Sequence, residues 1–435
     1  VRFDIISTFP EFFAALDLSL VGKAQKAGVV DIRVHNLRDW AEGKHLAVDD
    51  TPTGGGAGMV MRPDVWGRAL DTVLEEGAVL AIPTPSGKPL TQRDLEALVQ
   101  VPQIVVACGR YEGIDARVAE HYGAEGIRVF EYSLGDYVLN GGEVAAVALV
   151  EGVSRLVDGM VGNPESLVEE SHSVEGLLEY PVYTQPREWR GIETPAVLFS
   201  GDHARIRRWR RDRALARTAD RRPDMINALV EGGKILERAD VEVLTSRGVD
   251  VRTGRWDYSF SVAEESDLSE VAALAARTFP LACPPTATET EIREHIDTHL
   301  TENAFRELTR GGASITTVRS GPELVVVAYA LCEPNAPDDI ASLSPGACYV
   351  SKIYTDPEFH GSGVSGALME FALADAVSRW GSTAVLLGTN QSNRRAIRFY
   401  RRHGFKKCGR RTFEVGKRIH RDFVYVRDLT VDPPR

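Results

Sequence analysis

Three polar, glycine-punctuated stretches follow apolar runs in the first part of the chain. They are Thr84-Pro85-Ser86-Gly87, Gly109-Arg110-Tyr111-Glu112-Gly113-Ile114-Asp115 and Ser133-Leu134-Gly135-Asp136-Tyr137-Val138-Leu139-Asn140-Gly141-Gly142. Glycines at this density let a backbone turn tightly and come close to another group. Such loops hold a ligand through backbone amides, or they are ordinary packed turns. The third leads through Glu143 into the apolar run 144–150, which reads as a buried helix whose N-terminus faces the turn. Upstream, Gly54-Gly55-Gly56-Ala57-Gly58 requires unusual backbone angles, and Arg62 beyond it can meet a phosphate or a carboxylate. Far downstream, an apolar run meets His360-Gly361-Ser362-Gly363-Val364-Ser365-Gly366 and then a helical pattern. That succession aims amides and a helix dipole at an anion such as a pyrophosphate, or is a plain turn. Between them, Arg205 to Arg222 carries nine arginines around Trp209. This is an RNA-binding face, or a solvated helix face paired with Asp212 and Asp220.

These residues need scaffolds. The chain has 435 residues, 43% hydrophobic and 26% charged, which implies a soluble globular protein of two or three domains. The net charge of −11 argues against indiscriminate coating of nucleic acid. No apolar run approaches the roughly 18 residues of a membrane span. The N-terminus reads as a first strand rather than a signal segment. The five cysteines are scattered without a CxxC pair, so no zinc ribbon, other metal site or disulfide framework is expected, and a cytoplasmic location fits. Strands are predicted over 3–8, 30–35, 78–83, 104–108 and 127–130, with helices over 10–18, 64–75 and 91–100 between them. This alternation means a parallel α/β sheet, with ligands beyond the carboxyl ends of its strands. None of the loops reads GxGxxG or GxxxxGK[ST], so neither a dinucleotide nor a P-loop site is expected. The pattern fades over 236–256, a linker with one short helix. It resumes with a strand at 258–262, a capping box at Asp267 and Glu270, a hairpin over 314–331, and strands at 348–354 and 384–388. Gly404 suits a left-handed helix end.

The loops GGGAGMVMRPD, CGRYEGID and SLGDYVLNGGE, in this order, resemble the bacterial tRNA (guanine-N1)-methyltransferases, over 1–230. The resemblance implies a trefoil-knotted parallel-sheet domain (1–160), the knot formed around 81–145. It also implies a flexible interdomain loop (161–175), a helical tRNA-binding domain (176–235) and a homodimer. S-adenosylmethionine would lie among Thr84, Pro85, Gly87, Gly109, Tyr111, Leu134, Tyr137, Leu139 and Gly142. The substrate would be tRNA with guanine at position 37, and magnesium is a further cofactor to consider. The N1 of guanine holds a proton at neutral pH, so a carboxylate must remove it and a cation near O6 must steady the developing charge. Arg155 matches the family's arginine for O6, or else is a helix-surface arginine in a salt bridge. Glu112 matches a residue that contacts the guanine. The family's base is an aspartate in a Glu-Asp-Ser segment; here Glu169-Glu170-Ser171 puts Glu170 in its place, one methylene longer. Glu169 and His172 are alternative bases. Gln185 stands where the family has an arginine before Pro186. The helical domain's grip on the anticodon arm weights Arg205, Arg207, Arg208, Trp209 and Arg210 toward RNA.

Asn393, followed by Ala396, Phe399, Tyr400, Gly404 and Phe405, completes with the 361–366 loop a resemblance to the GCN5-related N-acetyltransferases. It implies a mixed α+β domain (257–432) that takes acetyl-CoA at Gly361, Gly363, Ser365, Gly366, Asn393 and Tyr400. Asn393 would contact pantetheine, and Tyr400 would protonate the leaving thiolate or else simply pack on the sheet. The acceptor is not readable from the sequence.

Overall fold

Residues 104–107 alternate between two opposite cores. Ile104 and Val106 pack with Phe3, Ile5, Val79 and Ala81, whereas Val105 and Ala107 pack with Ile6, Leu80 and Ile82 on the other face. An unbroken apolar run is what a strand covered on both faces needs. The structure is a computed structural model that describes residues 1–160, 171–172, 176–234, 236–283, 287–415 and 418–430. It divides into two units, Val1–Val174 and Glu175–Arg435.

In the first unit, strands β1 (Arg2–Ser7), β2 (Asp31–Asn36), β5 (Val79–Pro89), β6 (Gln103–Ala107) and β7 (Arg128–Ser133) form a sheet of order β2-β1-β6-β5-β7. Every pairing in it is parallel. A two-residue pair, β3 (Asp49–Asp50) with β4 (Val60–Met61), flanks the glycine-rich loop. The helices are α1 (Ser19–Lys26), α2 (Pro63–Val73), α3 (Gln92–Leu98), α4 (Arg117–Ala124) and α5 (Glu143–Ser154). Ala145, Ala146, Leu149, Val150 and Val153 of α5 cover one face of the sheet, and Val65, Trp66, Ala69, Leu70 and Val73 of α2 cover the other. The expected helix at 10–18 is a 3-10 helix, Pro10–Asp17. The strand expected to end at Pro83 runs on to Pro89. It pairs with β7 through Pro83 and again at Lys88 and Pro89, so Thr84–Gly87 bulges out of the ladder.

The second unit begins with a short pair, β8 (Glu188–Trp189) and β9 (Ile192–Glu193), and three helices, α6 (His203–Arg221), α7 (Pro223–Glu231) and α8 (Arg238–Ser246). The helices share a core of Leu215, Ala219, Ile226, Leu229, Val243 and Leu244. The stretch expected as a linker is therefore packed: it holds α8 and a pair of β10 (Val249–Asp250) with β11 (Arg255–Trp256). Next come β12 (Tyr258–Val262), α9 (Leu268–Ala282), α10 (Glu289–His299), α11 (Glu302–Arg310), β13 (Ser314–Ser320), β14 (Val325–Glu333), α12 (Asp338–Ala341) and β15 (Cys348–Thr355). The unit ends with α13 (Val364–Trp380), β16 (Ala384–Asn390), α14 (Arg394–Arg402), β17 (Lys406–Val415) and β18 (Arg418–Asp428). The seven-stranded sheet has order β12-β13-β14-β15-β16-β18-β17, antiparallel except between β15 and β16. Helix α13 packs on one face through Leu368, Met369, Ala372 and Leu373, and α9 on the other through Val271, Leu274 and Ala275. The capping box expected at Asp267 and Glu270 does not form. Asp267 instead caps Glu264 N and pairs with Arg319, while Glu270 takes Arg319 and the Val326 amide. Gly404 has the expected positive φ of 79°. Among the described residues no helix is long and apolar enough to cross a membrane.

Asp4 locks the amino-terminal edge of the first sheet. Only 2% exposed, it receives Arg2 Nε at 2.7 Å and Gln103 Nε2 at 2.6 Å, and lies 2.8 Å from His35 Nε2 on β2. Burial pushes its carboxyl up, but the hydrogen bonds from His35, Gln103 and Arg2 outweigh burial and hold it below the usual range. A depressed folded-state value stabilises fully above the unfolded carboxyl's roughly 3.9 and is lost as pH falls through the folded value. Asp4→Asn is expected to lower stability at pH 7 by about 1–3 kcal/mol. In urea unfolding followed by fluorescence, its gap to the wild type should hold down to about pH 4 and close below it; a gap that persists unchanged well below that pH contradicts this role.

Candidate functional site

The three loops of the first unit converge because their backbones touch. The Gly142 amide donates to the Gly109 carbonyl at 2.9 Å, and Arg110 bridges to Gly141. A Cβ on Gly142 would sit 2.6 Å from Pro83 Cγ and 3.1 Å from Cys108 Cα. One on Gly87 would sit 2.5 Å from the Tyr132 amide nitrogen. Neither position admits a side chain, so these two glycines are required by close approach. The glycine-rich loop joins the same edge: Glu112 N donates to Met59 O at 3.0 Å and Met61 N to Gly113 O at 2.9 Å. The Glu112 carboxylate lies directly against Gly58.

Beneath the loops sits Glu143, 1% exposed in the first turn of α5. It accepts Ser7 Oγ from the end of β1 at 2.8 Å and Arg110 Nε from the second loop at 3.0 Å. Arg110 in turn lies over the Phe9 ring at 4.5 Å. The sequence reading passed over this pin; its one signal is an acid at the start of an otherwise apolar helix. Above the pin, Tyr111 (φ 58°), Tyr137, Val138 and Leu139 are exposed. Leu134 packs on the core, Thr84 is half-buried and bonds Ser86, and Pro85 is exposed. Arg155 caps the far end of α5 and is half-buried. Arg62 is bound by Asp64, at 3.0 and 2.8 Å, two residues along its own chain. Glu169 and Glu170 lie outside the described residues, while His172 is exposed.

The arginine helix of the second unit divides its cations. Arg208 and Arg211 turn inward to Asp240 of α8, which is fully buried, at 2.7 and 2.8 Å. Arg208 also takes Asp212. Burial pushes the Asp240 carboxyl up, and the two guanidinium groups hold it below its ordinary value. Asp220 pairs with Arg247 rather than with an arginine of its own helix. Arg205 and Arg207 face outward, Arg210 lies over Tyr180 at 4.9 Å, and half-buried Trp209 is 6.2 Å from Tyr183.

In the seven-stranded sheet, β15 and β16 pair only at Cys348↔Val385, Tyr349↔Leu386 and Val350↔Leu387. Beyond that, β15 continues with β14 and β16 with β18, so the two strands part. A cavity of about 940 Å³ opens between them, and Gly361, Ser365, Asn393 and Tyr400 line it together with His295, Lys352 and Tyr354. At Gly363 and Gly366, also expected at this site, the side-chain direction faces α8. A Cβ on the first would meet Thr245 Oγ1 at 2.8 Å, and one on the second would meet Glu242 Cδ at 2.5 Å. Burial, then Tyr354, Tyr349 and Asp422, raise Tyr400 far above an ordinary phenol, so it stays protonated. Burial pushes Tyr354 up to about 12 and lowers Lys352 and His295.

A parallel α/β sheet with three joined loops at its carboxyl edge, followed by a mixed sheet splayed around a cavity, gives the chain two separate candidate sites. The chain belongs to the family described as tRNA (Guanine-1)-methyltransferase TrmD, matched over residues 1–228, and it carries a domain of the acetyltransferase (GNAT) family over 275–405. It is similar to the tRNA (guanine-N(1)-)-methyltransferase of Bifidobacterium longum (strain NCC 2705), with 51% identity over 263 residues, 58% of this chain and 96% of that protein. The Renibacterium salmoninarum protein of the same name is 54% identical over 252 residues, 57% of this chain and 94% of that protein. That of Thermobifida fusca is 51% identical over 256 residues, 57% of this chain and 97% of that protein.

Glu143→Ala removes a buried acceptor shared by two donors and leaves Arg110 facing its gap. We expect a loss of about 2–4 kcal/mol in chemical denaturation, below the full cost of breaking a buried pair because Arg110 keeps some water. A loss under about 1 kcal/mol, the range of surface ion pairs, contradicts the pin.

Proposed function

We propose that the first unit transfers a methyl group from S-adenosylmethionine to N1 of guanine at position 37 in tRNA, as a homodimer with a trefoil-knotted core. The observation that carries this reading is the convergence of Gly87, Gly109 and Gly142 on one edge. A glycine-rich edge rimmed by the exposed Tyr111, Tyr137 and Leu139 fits a heterocycle and an amino-acid moiety held largely by main chain. Exposed Tyr137, Val138, Leu139 and Val144 suit a site completed by a second subunit. The bound cofactor supplies an electrophilic methyl group on a sulfonium. Glu170 takes the N1 proton of guanine, Arg155 steadies charge developing at O6, and Glu112 orients the base. Arg205, Arg207 and Arg210 meet tRNA phosphates, with Trp209 beside them.

The second unit takes acetyl-CoA in the cavity between β15 and β16. Gly361, Ser365 and Asn393 hold the chain of the cofactor, and the protonated Tyr400 gives its proton to the sulfur that leaves as an acceptor amine takes the acetyl group. Acetyl-CoA supplies the activated acyl carbon.

With purified chain, S-adenosylmethionine and a tRNA transcript, mass spectrometry should find 1-methylguanosine at position 37. Glu170→Ala should cut kcat by about 10²–10⁴ with little change in cofactor affinity. Loss through Glu169→Ala alone moves the base one residue, and no product from the wild type overturns the reading. Calorimetry should detect acetyl-CoA binding that Ser365→Trp, which puts an indole into the cavity, removes without lowering the melting temperature. No heat from the wild type rejects the second-unit reading.

A further inference from the structure

Helix α14 reads Arg394-Arg395-Ala396-Ile397-Arg398-Phe399-Tyr400-Arg401-Arg402. Arg395, Arg398 and Arg402 recur at helical spacing and all line the large cavity. A fourth guanidinium reaches the same wall from outside the acetyltransferase match: Arg238, the first residue of α8. Helix α8 is seated there by its own contacts. Thr245 Oγ1 donates to the Ser362 carbonyl at 2.9 Å, and Val241 and Thr245 press on Gly363.

Four cations on one wall repel each other. Burial, Arg238 and Arg398 push Arg402 below its ordinary value, with Glu242 opposing. The nearest acid, Glu242, lies 3.3 Å from Arg238 Nε and is shared with buried His403 at 3.6 Å. The two carboxylates on the cavity wall are engaged elsewhere. Glu291 caps Thr288 at the start of α10, and Asp422 lies 3.6 Å from Arg411. Such a wall wants a multiply charged anion, and a cavity between two strands admits a small one. Within a coenzyme A molecule only the phosphates at the nucleotide end carry that charge.

Resting on the acetyl-CoA reading of this cavity, we infer that Arg238, together with Arg398 and Arg402, binds the 3′-phosphate of the coenzyme. The acetyl-CoA site is then built jointly by the acetyltransferase sheet and a helix that precedes it. Arg395, which acts on His360 at the loop, faces the diphosphate. Selectivity for the phosphorylated coenzyme comes from charge-assisted hydrogen bonds to guanidinium groups.

The test compares acetyl-CoA with acetyl-3′-dephospho-CoA by calorimetry on the full chain. The wild type should bind acetyl-CoA about tenfold or more tightly than the dephospho form, the worth of one charge-assisted contact. Arg238→Ala should lose most of that preference by weakening acetyl-CoA alone, and Arg238→Lys should restore part of it. Arg402→Gln should act in the same direction, which keeps the test open if one variant folds poorly. Equal binding of both ligands by the wild type overturns the inference and leaves the acetyl-CoA reading intact. So does an equal loss of both ligands in Arg238→Ala, or a raised KM for tRNA methylation without change in coenzyme selectivity. Absence of any acetyl-CoA binding removes the reading on which the inference rests.

Discussion

The carboxylate of Glu143 is withdrawn from water at the start of α5, a position that costs free energy unless donors surround it. Ser7, Arg110 and the positive end of α5 supply that compensation. Each donor belongs to a different part of the chain, so satisfying one charge fixes the end of β1, the loop after β6 and the entry to α5 together. The second loop supplies one of these partners itself, Arg110, and the third leads into the helix that carries Glu143. Above the pin stand the exposed rings of Tyr111 and Tyr137.

The second unit repeats the device with Asp240. Buried and doubly engaged by Arg208 and Arg211, it fastens α8 to the arginine helix. The opposite face of α8 lies on Gly363 and Gly366 at the start of α13. A Cβ at either glycine would strike that helix. The cavity-lining part of the loop is Gly361 and Ser365, on the wall left open where β15 and β16 part.

Much of this was legible in residue order. The run 104–107 declared a strand buried on both faces, and three glycine loops after three strands were expected together at one sheet edge, where they touch. What escaped was long-range. Glu143 looks like an ordinary acid in a helix's first turn, because its donors are 136 and 33 residues away in sequence. Thr84–Gly87 looked like a turn after the strand, because a bulge and a turn share the same residues and only the partner strand distinguishes them. The 236–256 stretch looked like a linker because its charges are mixed and Gly248 and Gly254 punctuate it. Val243 and Leu244 nevertheless complete a core made by α6 and α7. The capping box at Asp267 failed for a similar reason: a tertiary partner, Arg319, drew both acids away from the helix end.

The arginine helix shows why a count of charges overstates a binding face. A guanidinium is a strong ligand for any anion, and a buried carboxylate in the same fold competes with phosphate for it. Asp240 wins Arg208 and Arg211 because both are partly desolvated there, where the interaction is stronger than at the surface. Arg205 and Arg207 lie on the exposed side, where water weakens any pairing and a phosphate backbone can take its place. The helix therefore has an inner set of cations that hold the protein together and an outer set on the exposed side. The boundary between them is drawn by one aspartate on a neighbouring helix, not by the spacing of the arginines.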